Sequence, residues 1–209
     1  MASTPHTRRK EQAQARRDQL LRTALLLFSE KGYRSTSVRD IARAAGVNEG
    51  LLYHYFASKS DLFRDVLDEY APVRAFSALV DAAASSNSAQ SAFDEALRTF
   101  GREFLARMRE YRAFLITMLT EAPNDPELGA ILSEFLRTTK DDMIRLLTEY
   151  RRAGQVDAQI PIAAAAHVLQ GSLMFHFLTE ALRPPSAAAD DDKALDDIIT
   201  ILLAGLAPR

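Results

Sequence analysis

The chain has 209 residues, 47% of them hydrophobic, with 8 glycines and no cysteine. That length supports one large or two small domains around a sizeable core, and the missing thiols exclude disulfides, a thiol nucleophile and thiolate metal sites. Net charge is −2 but unevenly spread: residues 1–60 hold 11 Lys/Arg against 5 Asp/Glu, a net +6, and the remainder carries −8.

A basic segment on an acidic body is the asymmetry expected where one end meets a polyanion. Alanine and leucine dominate and no run alternates apolar with polar residues, so an all-α fold of about nine helices is expected. The polar N-terminus does not read as a signal peptide. No apolar run is expected to reach the roughly 20 residues of a membrane span, so a cytoplasmic location without a membrane partner is the expectation.

In chain order, apolar residues at Leu20, Ala24, Leu27 and Phe28 predict a helix from about Ala13 to Lys31, stopped by Gly32. Ser37 with Asp40 three residues on is a capping-box pattern opening a short helix through Val38, Ile41 and Ala45, ended by Gly46. Asn48 is the expected N-cap of a third helix, Glu49 to Phe56, and Ser58 with Asp61 opens a fourth. Two short helices meeting at a tight turn, braced on both sides, make a helix-turn-helix whose second helix can enter a major groove.

The third helix carries four consecutive rings, Tyr53, His54, Tyr55 and Phe56, which must point all the way round it. Leu52 and Phe56 share a face and are the expected core pair. Glu49, Gly50, Tyr53 and His54 then lie outside, with Tyr55 at the margin. Outward Tyr and His offer donors for phosphate and flat faces for thymine methyls. Lys59, opening the next helix, is expected to hold a phosphate there.

This segment resembles the DNA-binding domain of the TetR family of bacterial repressors, most densely over TSVRDIARAAGVNEGLLYHYFASKSDLF. Gly46-Val47, Leu52-Tyr53, Tyr55-Phe56, Ser58-Lys59 and Leu62 stand where the family pattern has them. The resemblance implies Glu49, Gly50 and Leu51 near base edges with Asn48 at the cap, and Tyr53, His54, Tyr55 and Lys59 at backbone and groove. It implies Ser37 and Arg39 at phosphate or base. The basic stretch Arg8, Arg9, Lys10, Arg16 and Arg17 is expected to track a neighbouring groove or backbone. Two residues depart from the pattern: Glu49 is acidic where members commonly carry a basic or amide group, and Leu51 replaces a common threonine. Glu49 either accepts from a cytosine amino group or only strengthens the helix N-terminus.

Domain limits are expected at 1–60 for the helix-turn-helix and 61–209 for a larger helical ligand-binding and dimerisation domain. In the latter, a helix break is expected near Glu110, and Asp125-Pro126 opens a helix that closes at Arg151, Arg152 and Gly154. Pro184-Pro185 ends the penultimate helix, and SAAADDD reads as a mobile loop before the last. These last two helices are apolar round most of their circumference, which demands partners on several sides. Family members pair them into a dimer, which here implicates Ala166, Gly171, Leu195, Ile198, Leu202 and Gly205; ordinary intramolecular core is the competing reading.

Phe104, Met108, Tyr111, Phe114, Met118, Met143, His167, Met174, His176 and Phe177 are candidates to line an apolar ligand pocket, and equally to be plain core. His167 and His176, nine residues apart, point to opposite sides of a helix. No metal site or cofactor is expected, nor an enzyme, since no nucleophile–base set or Gly-rich phosphate loop is found. The expected function is a homodimeric repressor holding a palindromic operator on double-stranded DNA, released by a small apolar or amphipathic ligand. The alternative is a DNA-binding factor of the same fold controlled by a protein partner or by abundance.

Overall fold

The computed structural model of the chain describes residues 5–70, 90–182 and 191–208. Among the described residues there are nine α-helices and no strand: α1 (Pro5–Ser35), α2 (Val38–Ala44), α3 (Glu49–Tyr55), α4 (Lys59–Tyr70), α5 (Gln90–Glu110), α6 (Arg112–Glu121), α7 (Pro126–Arg152), α8 (Ile162–Ala181) and α9 (Asp191–Leu206). The all-α expectation holds. The expected loop SAAADDD and the Pro184-Pro185 stop lie outside the described residues, except for the two aspartates that open α9.

The chain divides into two compact units. The first comprises Met1–Tyr70 with Ala113–Ser133, and the second Ala71–Arg112 with Glu134–Arg209. The boundary expected after residue 60 therefore falls in the first turn of α4. Leu62, Phe63, Val66 and Leu67 of that helix are buried, which explains why α4 stays with the N-terminal helices.

An aromatic cluster centres the first unit: Phe63 meets Phe28 at 5.1 Å, Tyr33 at 4.9 Å and Phe114 at 5.3 Å between ring centroids. Offset and edge contacts of this kind stabilise by about 0.5–1.5 kcal/mol beyond burial. Helix α1 begins earlier than expected, at Pro5, and continues to Ser35 across a kink at Gly32, whose φ is 82°. There a side chain would be strained and would collide with Glu121, since a Cβ would sit 1.9 Å from its Oε1. The carboxylate's other oxygen accepts the backbone N–H of Tyr33 at 2.9 Å and of Arg34 at 3.2 Å. The kink thus exposes two amides that α1 cannot satisfy, and Glu121 satisfies them.

In the second unit the core is drawn from Phe93, Leu97, Phe100 and Leu105 of α5, Leu146, Leu147 and Tyr150 of α7, Leu169 and Leu173 of α8, and Ile199 of α9. Phe93 and Tyr150 stack at 4.2 Å. Gly101 lets α5 approach α9 closely, because a Cβ there would lie 2.6 Å from Ile199 Cδ1. The break near Glu110 occurs as expected. Asp125 Oδ1 accepts from the N–H of Glu127 and Leu128 at 3.1 Å, capping α7 as its sequence predicts. The closing glycine, Gly154, has φ 75°.

One expectation is corrected. Helix α8 is long and apolar enough to cross a membrane by length and composition, with mean hydropathy 1.3. His167, Gln170, Ser172 and His176 interrupt its apolar run, yet only Glu180 is charged. Buried core helices of soluble folds meet the same criterion, and a third of that window is buried within this chain.

Candidate nucleic-acid interface

Each short helix of the N-terminal unit is fixed by its caps. Ser37 Oγ accepts the Asp40 N–H at 3.1 Å, while Asp40 Oδ2 accepts the Ser37 N–H at 3.2 Å and its hydroxyl at 2.6 Å. Those bonds, the hydroxyl's foremost, hold the Asp40 carboxyl below its ordinary pKa, with Arg43 assisting. The turn that follows places Gly46 at φ 69°, and the Val47 N–H reaches back to Ala42 O at 2.9 Å. Asn48 Oδ1 then accepts the Leu51 N–H at 2.7 Å and starts α3. At α4 the Ser58 hydroxyl donates to Asp61 Oδ2 at 2.7 Å and accepts the Asp61 N–H at 3.0 Å. All three caps are those expected from the sequence.

Leu52 and Phe56 are buried. Glu49, Gly50, Tyr53 and His54 are exposed, and Leu51 and Tyr55 are half-buried. Tyr53 keeps 51% of its surface in solvent. Ser37 and Arg39 are exposed on α2, and the Arg39 guanidinium lies 3.8 Å from Glu49 Oε1. That loose surface pair, worth under about 1 kcal/mol, tethers the acidic residue of α3 to a cation of α2. Arg43 is also exposed. It lies one helical turn beyond Arg39 on the same face, and that spacing was the signal in the sequence for it.

Two basic residues behave differently from expectation. Lys59 Nζ donates to Tyr33 O at 2.8 Å and Thr36 O at 3.2 Å and lies 4.0 Å from the Tyr33 ring centroid. Burial pushes its pKa down. Its ammonium caps the end of α1 rather than facing outward, because two backbone carbonyls and the Tyr33 ring hold it there. Arg17 pairs with Asp65 at 2.7 Å and lies over the Phe56 ring, tying α1 to α4 instead of joining a basic tail. Arg8, Arg9, Lys10 and Arg16 are exposed along α1.

The remaining candidates divide between the units. Phe114 and Met118 are buried in the first unit, Phe114 within the aromatic cluster. Phe104, Met108, Met143, His176 and Phe177 are buried in the second, while Tyr111 and Met174 are half-buried there. His167 is exposed on α8.

Of the six dimer candidates, Ala166 and Leu195 are fully buried in their own chain. Gly171 and Gly205 are exposed, and Ile198 and Leu202 half-buried. Helix α8 turns Ala164, Val168, Gly171 and Phe175 outward, and Leu182 follows at its C-terminal cap. Phe175 is 68% exposed and Leu182 82%. On α9, Ala194, Ile201 and Gly205 face outward, Ile201 by 72%. Alternating spacings of three and four make this a coiled-coil-like stripe. Periodicity does not single out Val168 and Phe175, because a helix apolar all round does not announce which side is unpaired.

Comparison with known proteins bears on these surfaces. Residues 20–66 match the bacterial regulatory proteins of the tetR family, and residues 92–194 match a tetracyclin repressor-like C-terminal domain. The chain is 44% identical over 59 residues to the HTH-type transcriptional repressor KstR2 of Mycolicibacterium smegmatis, a match spanning 28% of this chain and 29% of that one. It is 34% identical over 163 residues to the probable HTH-type transcriptional regulator YttP of Bacillus subtilis, covering 78% and 77%. The fold is shared with the transcriptional regulator FadR of Bacillus subtilis in complex with stearoyl-CoA, at TM-score 0.70 and 20% identity over 90% of this chain and 98% of that one.

Proposed function

The chain belongs to the TetR family of bacterial regulatory proteins and is a DNA-binding transcriptional regulator, not an enzyme; from that premise we infer that it is a dimeric repressor released from a palindromic operator by a small apolar or amphipathic ligand. The observation that carries this reading is the outward face of α3, held by three caps beside the exposed Arg39 and Arg43. Glu49, Gly50 and Leu51 face base edges, and Tyr53, His54, Tyr55, Ser37 and Arg39 take phosphate and groove. Asn48 fixes the helix that carries them. Lys59 contributes through its backbone amide at the start of α4, since its ammonium is engaged elsewhere.

One short helix reads few bases, so two symmetric copies are required. The outward stripe of α8 and α9 supports their pairing: Phe175, Val168 and Ile201 would bury against the same residues of a second copy. A dimer accounts for an apolar surface that a monomer seldom leaves in water. The apolar interior of the second unit supports a ligand of like character, and the FadR neighbour, which shares the fold, was solved in complex with stearoyl-CoA. Release then needs the ligand to prefer one spacing of the recognition helices by a coupling of about 1–3 kcal/mol. A location in the cytoplasm, with the DNA, follows from the same reading.

The test is fluorescence anisotropy of the purified protein with DNA flanking its own gene across a salt series. Sequence-specific binding that weakens steeply with salt, and is reversed by an apolar compound, is expected. Specific binding that no compound reverses would favour the same fold working without an inducer.

A further inference from the structure

The inner face of α8 is apolar except at its C-terminal end. Leu169, Leu173, Phe177 and Ala181 are buried there, and with them His176, only 8% exposed. Glu180, one turn further along, is the single charged residue of this helix. Its Oε1 accepts from Arg109 Nε at 2.5 Å. Its Oε2 is buried and finds no hydrogen-bond partner among the described residues, and neither does His176 Nε2. Around them the helix end is otherwise satisfied: Thr179 Oγ1 donates to His176 O at 2.8 Å, and the Arg112 guanidinium donates to Ala181 O.

A buried polar group left unpaired costs about 1–3 kcal/mol, more when charged, and natural folds rarely tolerate it. Here two such atoms stand one helical turn apart on one face. Both lie in the unit assigned above to ligand binding. We propose that His176 and Glu180 form the polar end of the ligand site and take a hydroxyl group on an otherwise apolar, uncharged molecule.

The chemistry singles out a hydroxyl. Its O–H donates to Glu180 Oε2, and its oxygen lone pair accepts from His176 Nε2–H, so one atom satisfies both groups. A carboxylate would set its charge against the unpaired oxygen of Glu180. A plain hydrocarbon would leave both atoms unpaired. Arg109 engages only the first oxygen and so leaves the second to a ligand. The site is a selectivity device: an apolar body decides that a ligand enters, and this pair decides which headgroup stays. The inference rests on the reading of the second unit as ligand-binding and sharpens it to one chemical class.

Titration calorimetry on the full chain without DNA tests it, using straight-chain alcohols from 1-hexanol to 1-dodecanol and the carboxylates of equal length. Saturable binding of an alcohol is expected, with the matching carboxylate at least about tenfold weaker. His176→Phe should weaken the alcohol at least about tenfold, and His176→Gln, which keeps a donor, should restore part of the loss; circular dichroism confirms that both fold. Equal binding of alcohols and carboxylates, insensitive to His176→Phe, would overturn the hydroxyl site while leaving a ligand-binding body standing. No alcohol binding at all would also overturn it, and the search for compounds that release DNA would then decide the broader reading separately.

Discussion

The chain leaves aromatic rings in solvent on two surfaces of opposite character. On α3 the exposed ring is Tyr53, flanked by His54, Glu49 and the cations of α2. On α8 it is Phe175, flanked by Val168, Gly171 and Leu182, with no charged neighbour on the stripe. Tyrosine and histidine combine a flat face with a hydrogen-bonding tip, which suits phosphates and base edges. Phenylalanine offers area alone, which suits a like surface. In the proposed function these chemistries fall to different partners, the first ring to DNA and the second to a second copy of the chain.

The sharpest way to break the comparison is Phe175→Glu. Placing a charge in the centre of a self-complementary apolar stripe should weaken dimerisation by at least about 100-fold, through desolvation of an unpaired carboxylate. Sedimentation equilibrium reads the dimer, and helicity should be unchanged, since Phe175 packs little within its own chain. Operator binding should fall with it.

Gly32→Ala comes next and acts on stability instead. The residue would be held at φ 82° with its Cβ on Glu121, and a loss of about 1–3 kcal/mol is expected from backbone strain alone, measured by urea denaturation. Tyr53→Ala should do the reverse. It should lower operator affinity about tenfold, by the 1–3 kcal/mol scale of single groove contacts, with stability within about 0.5 kcal/mol of wild type as for other exposed sites.

The smallest effect is one of pH. Asp40 is held below its ordinary value of 3.8 by its Ser37 hydrogen bonds, so the folded state binds fewer protons there than the unfolded one. Its contribution is complete above about pH 4 to 5 and fades as pH falls through the depressed value. Stability curves of wild type and Asp40→Asn should therefore differ above that range and converge in acid.

How much of this was legible in the sequence differs between the same two regions. In the N-terminal unit, Ser37, Asn48 and Ser58 each carry a local capping signature, and spacing alone separated Leu52 and Phe56 from the outward residues. Local chemistry decides these features, so local sequence contains them. Lys59 was misjudged because its partners, Tyr33 O and Thr36 O, are more than 20 residues away. Likewise nothing before Glu121 announces that its carboxylate completes the kink at Gly32. In α8 and α9 the apolar composition was plain, but Ala166 and Leu195 turned inward and Val168, Phe175 and Ile201 outward. Which side of an all-apolar helix is left open depends on how its neighbours pack, and periodicity does not encode that.

The most direct test of the central claim is footprinting of the chain on its operator, with the protein-to-DNA ratio fixed by sedimentation. Two chains protecting two symmetric half-sites, centred about 34–36 Å apart along one face of the duplex, are predicted. Protection of a single half-site by one chain, persisting unchanged in Phe175→Glu, would contradict it.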